Sequence, residues 1–145
     1  MMNLIEQLKR HVAFTACVYK TKRNECLIGY GHDINKIPLP DYLQRNFDYQ
    51  PMNEDEAINL LASDILDIYD PLMAYVDFTQ WSMPRQRAIL ALVYVLGLSD
   101  FGKNRILVHV LHIGDFEHAA ELVLSIGNNG LFVEIAEQFK YGGDK

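Results

Sequence analysis

The sequence predicts an α+β domain that is mostly α. Apolar residues recur at helical spacing in several segments, one short stretch of β-forming residues surrounds a polar turn, and one segment is apolar on every side. The chain has 145 residues, and half of them are hydrophobic, which suits one ordinary domain with a sizeable core. We therefore expect residues 1–145 to form a single domain, with a small lobe at about 13–52 and a helical lobe made of 1–12 and 53–145.

The N-terminal part predicts a helix, a hairpin and an irregular segment, in that order. A one-face apolar stripe indicates a helix over residues 3–12. Residues 16–31 hold β-forming side chains on both sides of the polar run Lys20–Glu25, which is a turn signal. Residues 34–52 contain three of the five prolines and predict irregular structure with one short helix near Tyr42–Phe47.

A long helix is predicted to begin at Asn53, because Asn53 and Glu56 have the spacing of a capping box. Pro71 lacks a backbone donor, so we expect this helix to end near Asp70 or to kink there before Tyr75. It is long enough to serve as a strut between two lobes.

The rest of the chain predicts four helices. The first begins at Ser82-Met83-Pro84, is almost entirely apolar from Ala88 to Leu96, and ends at Gly97, which is typical of a central buried helix. Three shorter helices are expected to follow it, over residues 103–113, 115–125 and 131–141.

The acidic composition narrows the classes of partner. The net charge is −6 at neutral pH, and nucleic acids and bacterial walls are both polyanions, so acidity disfavours both. It suits a protein with a basic surface, or it only keeps the chain soluble. No apolar run reaches the roughly 18 residues that a membrane span needs. Glu6, Gln7 and Lys9 interrupt the N-terminal apolar residues, so we expect no signal peptide and a cytoplasmic protein.

The cysteines and histidines predict no metal site and no cofactor. Cys17 and Cys26 lack the spacing of zinc ligands. We expect two free, packed thiols, with a disulfide across neighbouring strands as the alternative. His109 and His112 are three residues apart on one predicted helix, a spacing that can bind a metal, but no third ligand lies nearby in the sequence.

Five segments in order carry a family pattern. They are Tyr19-Lys20 with Ile28-Gly29-x-Gly31-His32, Asn53–Ala57, Arg85–Gly97, Gly114–Ala120 and Phe139–Gly142. Together they resemble the phage-type lysozymes, the muramidases of tailed phages, over nearly the whole chain. The resemblance implies a lysozyme-like fold, in which an N-terminal helix and a small β-hairpin lobe are joined by a long helix to a helical bundle around one buried helix.

The resemblance also implies where catalytic residues would lie. Lysozymes of this family cut the bond between peptidoglycan sugars with a glutamic acid that protonates the leaving oxygen and an aspartate across the cleft. A threonine near the aspartate helps to place water. Counting back from His32, these three positions fall at Val12, Thr21 and Leu27, and none of them has a carboxyl group. We therefore predict an inactive member of the family, with no catalytic residue.

Three other groups stay open as substitutes for the missing acid: Glu25, Asp33 and His11. The last helix of the family usually carries arginines, whereas the corresponding run here is Leu131–Ile135, with Glu134 in it. The resemblance implies a phage-encoded protein. Loss of the acid, its partner and the basic helix favours one that acts in the host cytoplasm by binding a protein partner, as an inhibitor or adaptor. A peptidoglycan-binding module and a muramidase with a rewired acid are the alternatives.

The aromatic side chains of the small lobe are the candidate cleft or partner-binding residues, together with one histidine. In the family, a histidine at the position of His32 usually ties the hairpin to the rest of the fold, and we expect that structural role here. The aromatic residues fit the core of the small lobe equally well. The candidates are Tyr30, His32, Tyr42, Phe47 and Tyr49.

Overall fold

The computed structural model describes residues 2–142, apart from the side chain of Met2. These residues fall into two compact units that divide between Asp64 and Ile65. The described residues are mostly helical and include one small antiparallel sheet, which confirms the predicted α+β, mostly α class.

The first unit begins with helix α1, Met2–His11, and continues into a three-stranded sheet. The strands are β1 at Thr15–Lys20, β2 at Cys26–Gly29 and β3 at His32–Asp33, and they pair antiparallel in that order. The hairpin is confirmed. The third strand was not predicted, because it has only two residues. It follows a turn in which Gly29 and Gly31 take φ values of +66° and +87°, a region that favours glycine.

The segment after the sheet is irregular, as predicted, and its short helix overlaps only the start of the predicted range. A single 3₁₀ turn covers Asp41–Leu43, and no helix extends to Phe47. The Asn46 side chain accepts a hydrogen bond from the Asp48 amide at 2.9 Å, so the backbone forms a side-chain-closed turn instead of a helical turn.

Helix α2, Glu54–Met73, begins at the predicted capping box. The Asn53 side chain accepts from the Glu56 amide at 2.8 Å, and the Glu56 carboxylate accepts from the Asn53 amide at 3.1 Å. Of the two alternatives, an end near Asp70 is wrong, because the helix continues to Met73 with Pro71 inside it; a kink at this point stays a prediction. Pro71 lies in the last turn, so its missing donor affects only the end of the helix.

The second unit consists of the end of α2 and five further helices. They are α3 at Met83–Leu96, α4 at Leu98–Lys103, α5 at Arg105–His112, α6 at Phe116–Ile126 and α7 at Gly130–Tyr141. The sequence predicted all of these except α4. Gly97, at φ +86°, lies at the end of α3 and directly before α4. In the sequence, this glycine indicates only that a helix ends, so α4 was not predicted.

Side-chain caps begin three of these helices, since they satisfy amides that have no partner within the helix. Asn104, Asp115 and Asn129 accept from the amides of Leu107, His118 and Phe132, respectively. The Ser82 hydroxyl does not cap α3; it donates instead to the carbonyl of Gly142.

The core of the second unit is built around α3, whose run Ala88–Val93 is buried. Tyr94 is only partly buried and Val95 is 37% exposed, so the helix is buried all round in its middle and not to its end. The large apolar side chains Phe78, Phe101 and Phe139 are fully buried in the same unit. In the part of the chain that the structure describes, no helix is both long and apolar enough to cross a membrane.

Candidate functional site

The three positions at which a glutamate, an aspartate and a threonine were expected all lie in the first unit. Val12 follows α1 and extends its last turn, because its amide donates to the Leu8 carbonyl at 2.8 Å. Thr21 directly follows β1. Leu27 lies in β2, opposite Tyr19. All three side chains are partly buried, and none of them can donate or accept a proton in the way that a carboxyl group does.

Thr21 closes the hairpin turn between β1 and β2. Its hydroxyl oxygen accepts from the amides of Arg23 and Glu25, each at 3.2 Å, and lies 3.1 Å from the Glu25 carboxylate, to which it donates. Asn24 takes a positive φ of 63° within the same turn, a conformation that asparagine tolerates better than most residues. The Thr21 side chain therefore holds a turn, and it places one carboxylate, that of Glu25, beside this position.

The other two groups proposed as substitute acids lie elsewhere in the unit. Asp33 accepts a hydrogen bond from the Asn35 amide at 3.0 Å, and its carbonyl accepts from the Ile37 amide at 3.0 Å, so Asp33 organises the turn after β3. His11 is exposed at the end of α1. Among the three groups, Glu25 is the one whose hydrogen bond joins it to a position expected to be catalytic.

His32 is buried and fully engaged, as its predicted structural role requires. Only 3% of the residue is exposed. Its Nδ1 lies 2.7 Å from Oδ2 of Asp64, which is buried on α2, and its Nε2 lies 2.7 Å from the carbonyl oxygen of Ile37. One side chain thus fixes β3 to α2 and to the turn that follows the sheet.

Both ring nitrogens of His32 face acceptor oxygens, so both hydrogen bonds are formed fully only when each nitrogen carries a proton. Burial lowers the pKa of His32, but the Asp64 hydrogen bond and charge, the Ile37 carbonyl and the Asp33 charge together outweigh it and raise the pKa above its ordinary value. The geometry and the charges therefore favour the imidazolium form, paired with the Asp64 carboxylate.

Tyr30 is buried with its hydroxyl at the start of α2. Its OH donates to the Glu54 carboxylate at 2.8 Å, and Lys9 of α1 lies 3.8 Å from the same carboxylate. Burial, the hydrogen bond to Glu54 and the negative charges of Glu54 and Glu6 raise the pKa of Tyr30 to about 12. The ring packs against Phe14, with the centroids 5.5 Å apart. The Glu54 carboxylate at the start of α2 therefore contacts both Tyr30, which follows β2, and Lys9 of α1.

The candidate aromatic residues divide into two buried and two exposed side chains. Tyr30 and Phe47 are only 4% and 5% exposed, so they belong to the core of the first unit and present no binding surface. His32 is equally enclosed. Tyr42 and Tyr49 are 64% and 85% exposed, which leaves these two as the candidates that a partner can reach.

An ion pair that the sequence analysis missed holds the loop after Phe47. The Arg45 guanidinium forms two hydrogen bonds of 2.7 Å with the Glu56 carboxylate, and it also donates to the carbonyls of Gln50 and Pro51. The Arg45 hydrogen bond holds the pKa of Glu56 at about 2. Glu56 was identified only as part of a capping box; the eleven-residue separation of the pair gives no local signal.

The cysteines and surface histidines form no site in the described residues. Cys17 and Cys26 are free, partly buried thiols, and Cys17 lies 3.4 Å from the Phe47 carbonyl. Across residues 2–142, no group of three or more histidine, cysteine or acidic side chains has the arrangement of a metal site.

The second unit contains an open groove of about 470 Å³ between the start of α6 and the end of α7. Arg85 contributes to its lining; its guanidinium lies 3.9 Å from the centre of the Phe116 ring and donates to the Phe139 carbonyl at 2.8 Å. The lining includes two basic and two acidic side chains, so the groove has no single charge preference. Its lining residues are Arg85, Gly114, Asp115, Phe116, Glu117, Lys140 and Tyr141.

Comparison with known proteins identifies the family to which the chain is similar. The family model that matches the chain is that of phage lysozyme, and the match spans residues 9–130. A comparison with curated proteins finds no match. Among solved structures, the chain is similar to the muramidase domain of SpmX from Asticaccaulis excentricus, with a TM-score of 0.73 and 17% sequence identity, covering 97% of this chain and 94% of that one. At this identity, the likeness shows the fold.

Proposed function

The chain belongs to the phage lysozyme family, and from that premise we propose that it is an inactive member that acts by binding a protein partner. The observation that carries the proposal is the set of side chains at Val12, Thr21 and Leu27, where the family places its acid, its second carboxylate and its water-positioning threonine. All three positions fall within residues 9–130, the part that the family model matches.

The missing general acid has the largest consequence for hydrolysis. Breaking the bond between two sugars requires a proton for the leaving oxygen at the moment of cleavage. Valine supplies none, and loss of a general acid lowers the rate by about two to four orders of magnitude. The local structure uses these positions differently: Val12 extends a helix and Thr21 closes a turn with its hydroxyl.

The charge of the chain supports a protein partner over a wall polymer. The net charge is −6. Where the resemblance implies an arginine-bearing helix, the first part of α7 reads Leu131–Ile135 with Glu134 in it. An acidic surface is repelled by an anionic polymer and attracted to a basic protein. We therefore propose an inhibitor or adaptor that covers a basic surface, acting in the cytoplasm of the host cell.

One observation favours a second candidate, a muramidase with a rewired acid. The Glu25 carboxylate lies 3.1 Å from the Thr21 hydroxyl, so a carboxylate does lie beside the position of the second catalytic group. This candidate still lacks a carboxyl group at Val12, and the neighbouring His11 would have to donate the proton. It predicts that the protein degrades peptidoglycan and that Glu25→Gln abolishes the degradation.

The test is hydrolysis of isolated peptidoglycan, followed by the release of reducing sugar ends, with an active muramidase as the positive control. We expect the native protein, Glu25→Gln and the matched surface variant Asp41→Asn all to release no more than buffer does. Release by the native protein that Glu25→Gln removes and Asp41→Asn keeps would establish the rewired enzyme. Sedimentation of the protein with the polymer, without hydrolysis, would instead identify a glycan-binding module.

A further inference from the structure

One asparagine of the second unit lies directly before a glycine. In the whole sequence, Asn129-Gly130 is the only place where this order occurs. The two residues belong to the short connection between α6 and α7, and both are exposed. Glycine has no side chain that shields its own amide nitrogen or restricts its backbone, so this nitrogen approaches the preceding side chain more easily than that of another residue does. The pair therefore combines a reactive order of residues with access to water.

The connection is held at both of its ends. The Gly127 amide donates to the Val123 carbonyl at 3.2 Å, where α6 ends. The Phe132 ring lies against the Gly127 backbone, since a Cβ atom added to this glycine would lie 2.7 Å from the ring. Asn129 caps α7, because its side-chain oxygen accepts from the Phe132 amide at 3.0 Å. The Asn129 side chain is thus exposed to water and fixed in direction by one hydrogen bond.

The Gly130 nitrogen is placed to act on this side chain. It lies at the first position of α7, and an amide at that position has no acceptor within its own helix. It also lies at the positive end of the helix, which favours the loss of its proton. An amide nitrogen that has lost its proton is a nucleophile, and the side-chain carbonyl carbon of Asn129 is the electrophile nearest to it in the chain.

We propose that Asn129 is a site of spontaneous deamidation, and that the cap of α7 controls its rate. The Gly130 nitrogen attacks Cγ of Asn129 and forms a C–N bond with it. The bond from Cγ to Nδ2 breaks, and ammonia leaves with the proton of the attacking nitrogen. Water then opens the cyclic imide at either carbonyl carbon, which gives aspartate or isoaspartate. Ring closure turns the side chain away from the Phe132 amide, so the cap has to open first.

The two products should affect α7 in different ways. Aspartate keeps a capping oxygen and adds a negative charge at the positive end of the helix, which favours the helix. Isoaspartate adds an atom to the backbone and displaces the capping oxygen, so the Phe132 amide loses its acceptor. Since α7 packs against α3 and α6, this loss loosens the second unit. The inference goes beyond the proposed function, because the reaction needs neither a partner nor a sugar chain.

Two other helices begin with an asparagine that no glycine follows. Asn53 begins α2 and Asn104 begins α5, each by accepting from the amide of the third residue after it. A glutamate follows the first and an arginine the second. These two residues share the capping role of Asn129 and differ in the next residue, so they are internal controls for the effect of Gly130.

The test incubates the full-length protein in mildly alkaline buffer and follows each asparagine by mass spectrometry of tryptic peptides. We expect the mass increase of an amide converted into an acid at Asn129, as both aspartate and isoaspartate, and not at Asn53 or Asn104. Gly130→Ala should slow the reaction at Asn129 at least about fivefold, because a side chain at residue 130 restricts the backbone that has to turn. This variant should fold normally, since Gly130 is already helical and alanine favours a helix.

Two further measurements test the role of the cap. Unfolding the protein in urea should speed the reaction at Asn129 at least about fivefold, because no cap then holds the side chain. Asn129→Asp should melt no lower than the native protein, whereas the isoaspartate form, separated by chromatography, should melt at a lower temperature.

Three results would overturn the assignment of the site: an unchanged Asn129 in the folded protein after the urea-unfolded protein has reacted completely, an equal rate in Gly130→Ala, or an equal reaction at Asn53 and Asn104. An equal rate at Asn129 in the folded and the unfolded protein would overturn its control by the cap.

Discussion

His32 lies in the small sheet and Thr21 directly follows its first strand. His32 is the residue type that the family resemblance leads us to expect, and Thr21 is not. His32 has the expected residue type, lies in the core and makes a hydrogen bond with each ring nitrogen. Thr21 stands where a carboxylate is expected, and its hydroxyl closes a hairpin turn. The residue that holds the sheet to α2 is present, whereas under the proposed function the groups that would cut a sugar chain are replaced. On that proposal, the demands of folding and of catalysis are separable within a single hairpin.

The largest effect in this comparison should come from breaking the buried pair. Asp64→Ala leaves the His32 imidazole without its charged partner in the core. Removing one member of a buried ion pair lowers the free energy of unfolding by about 3–5 kcal/mol, which chemical denaturation can measure. Asp67→Ala, at an exposed position of the same helix, should change stability by less than about 0.5 kcal/mol. Equal losses in the two variants would show that the pair does not hold the sheet.

Removing the Arg45 side chain should lower stability by less, because its ion pair with Glu56 lies nearer the surface. Arg45→Ala removes two hydrogen bonds to Glu56 and two to the loop carbonyls. We expect a loss in the free energy of unfolding that is smaller than that of Asp64→Ala, because solvent screens the pair, with faster amide exchange in residues 46–51. Arg45→Lys should recover only part of it, since lysine lacks the fork. Lys36→Ala serves as the surface control. An equal loss of stability in Lys36→Ala and Arg45→Ala would show that Arg45 does not hold the loop.

The pH dependence of stability should show the smallest of these effects, and it tests the buried His32–Asp64 pair. The pKa of His32 is raised in the folded state, so folding favours its protonated form. That contribution is fully present below the unfolded value of about 6.5 and is lost as the pH rises through the folded pKa. The melting temperature should therefore fall between mildly acidic and alkaline pH. His32→Asn should flatten this part of the profile, and an identical slope in that variant would assign the titration to another group.

Local patterns predicted most of the fold, and contacts between distant residues account for what they missed. The capping box at Asn53 and the glycine at the end of α3 are encoded within a few residues, and both lie where expected. The short strand β3, the helix that Gly97 begins and the two residues of α2 after Pro71 depend on what the chain packs against. A pattern of local spacing does not contain that information.

The candidate site was predictable to a similar degree. The resemblance put the three catalytic positions at Val12, Thr21 and Leu27, which stays a prediction, and it assigned a structural role to His32, with which the observed hydrogen bonds agree. It did not identify Asp64 as the partner of His32, although a lone acid in the apolar run Leu60–Leu66 was a usable signal. The candidate aromatics were grouped by residue type alone, and only the structure separates the buried Tyr30 and Phe47 from the exposed Tyr42 and Tyr49.

The central claim is that the catalytic groups alone are missing from an intact frame. The most direct test compares the native protein with Val12→Glu/Thr21→Asp in the release of reducing sugar ends from isolated peptidoglycan. We expect the native protein to stay at the level of buffer, and the double variant to exceed it by at least about a hundredfold, because it regains a general acid and a second carboxylate. Turnover by the native protein at the level of the double variant would contradict the account.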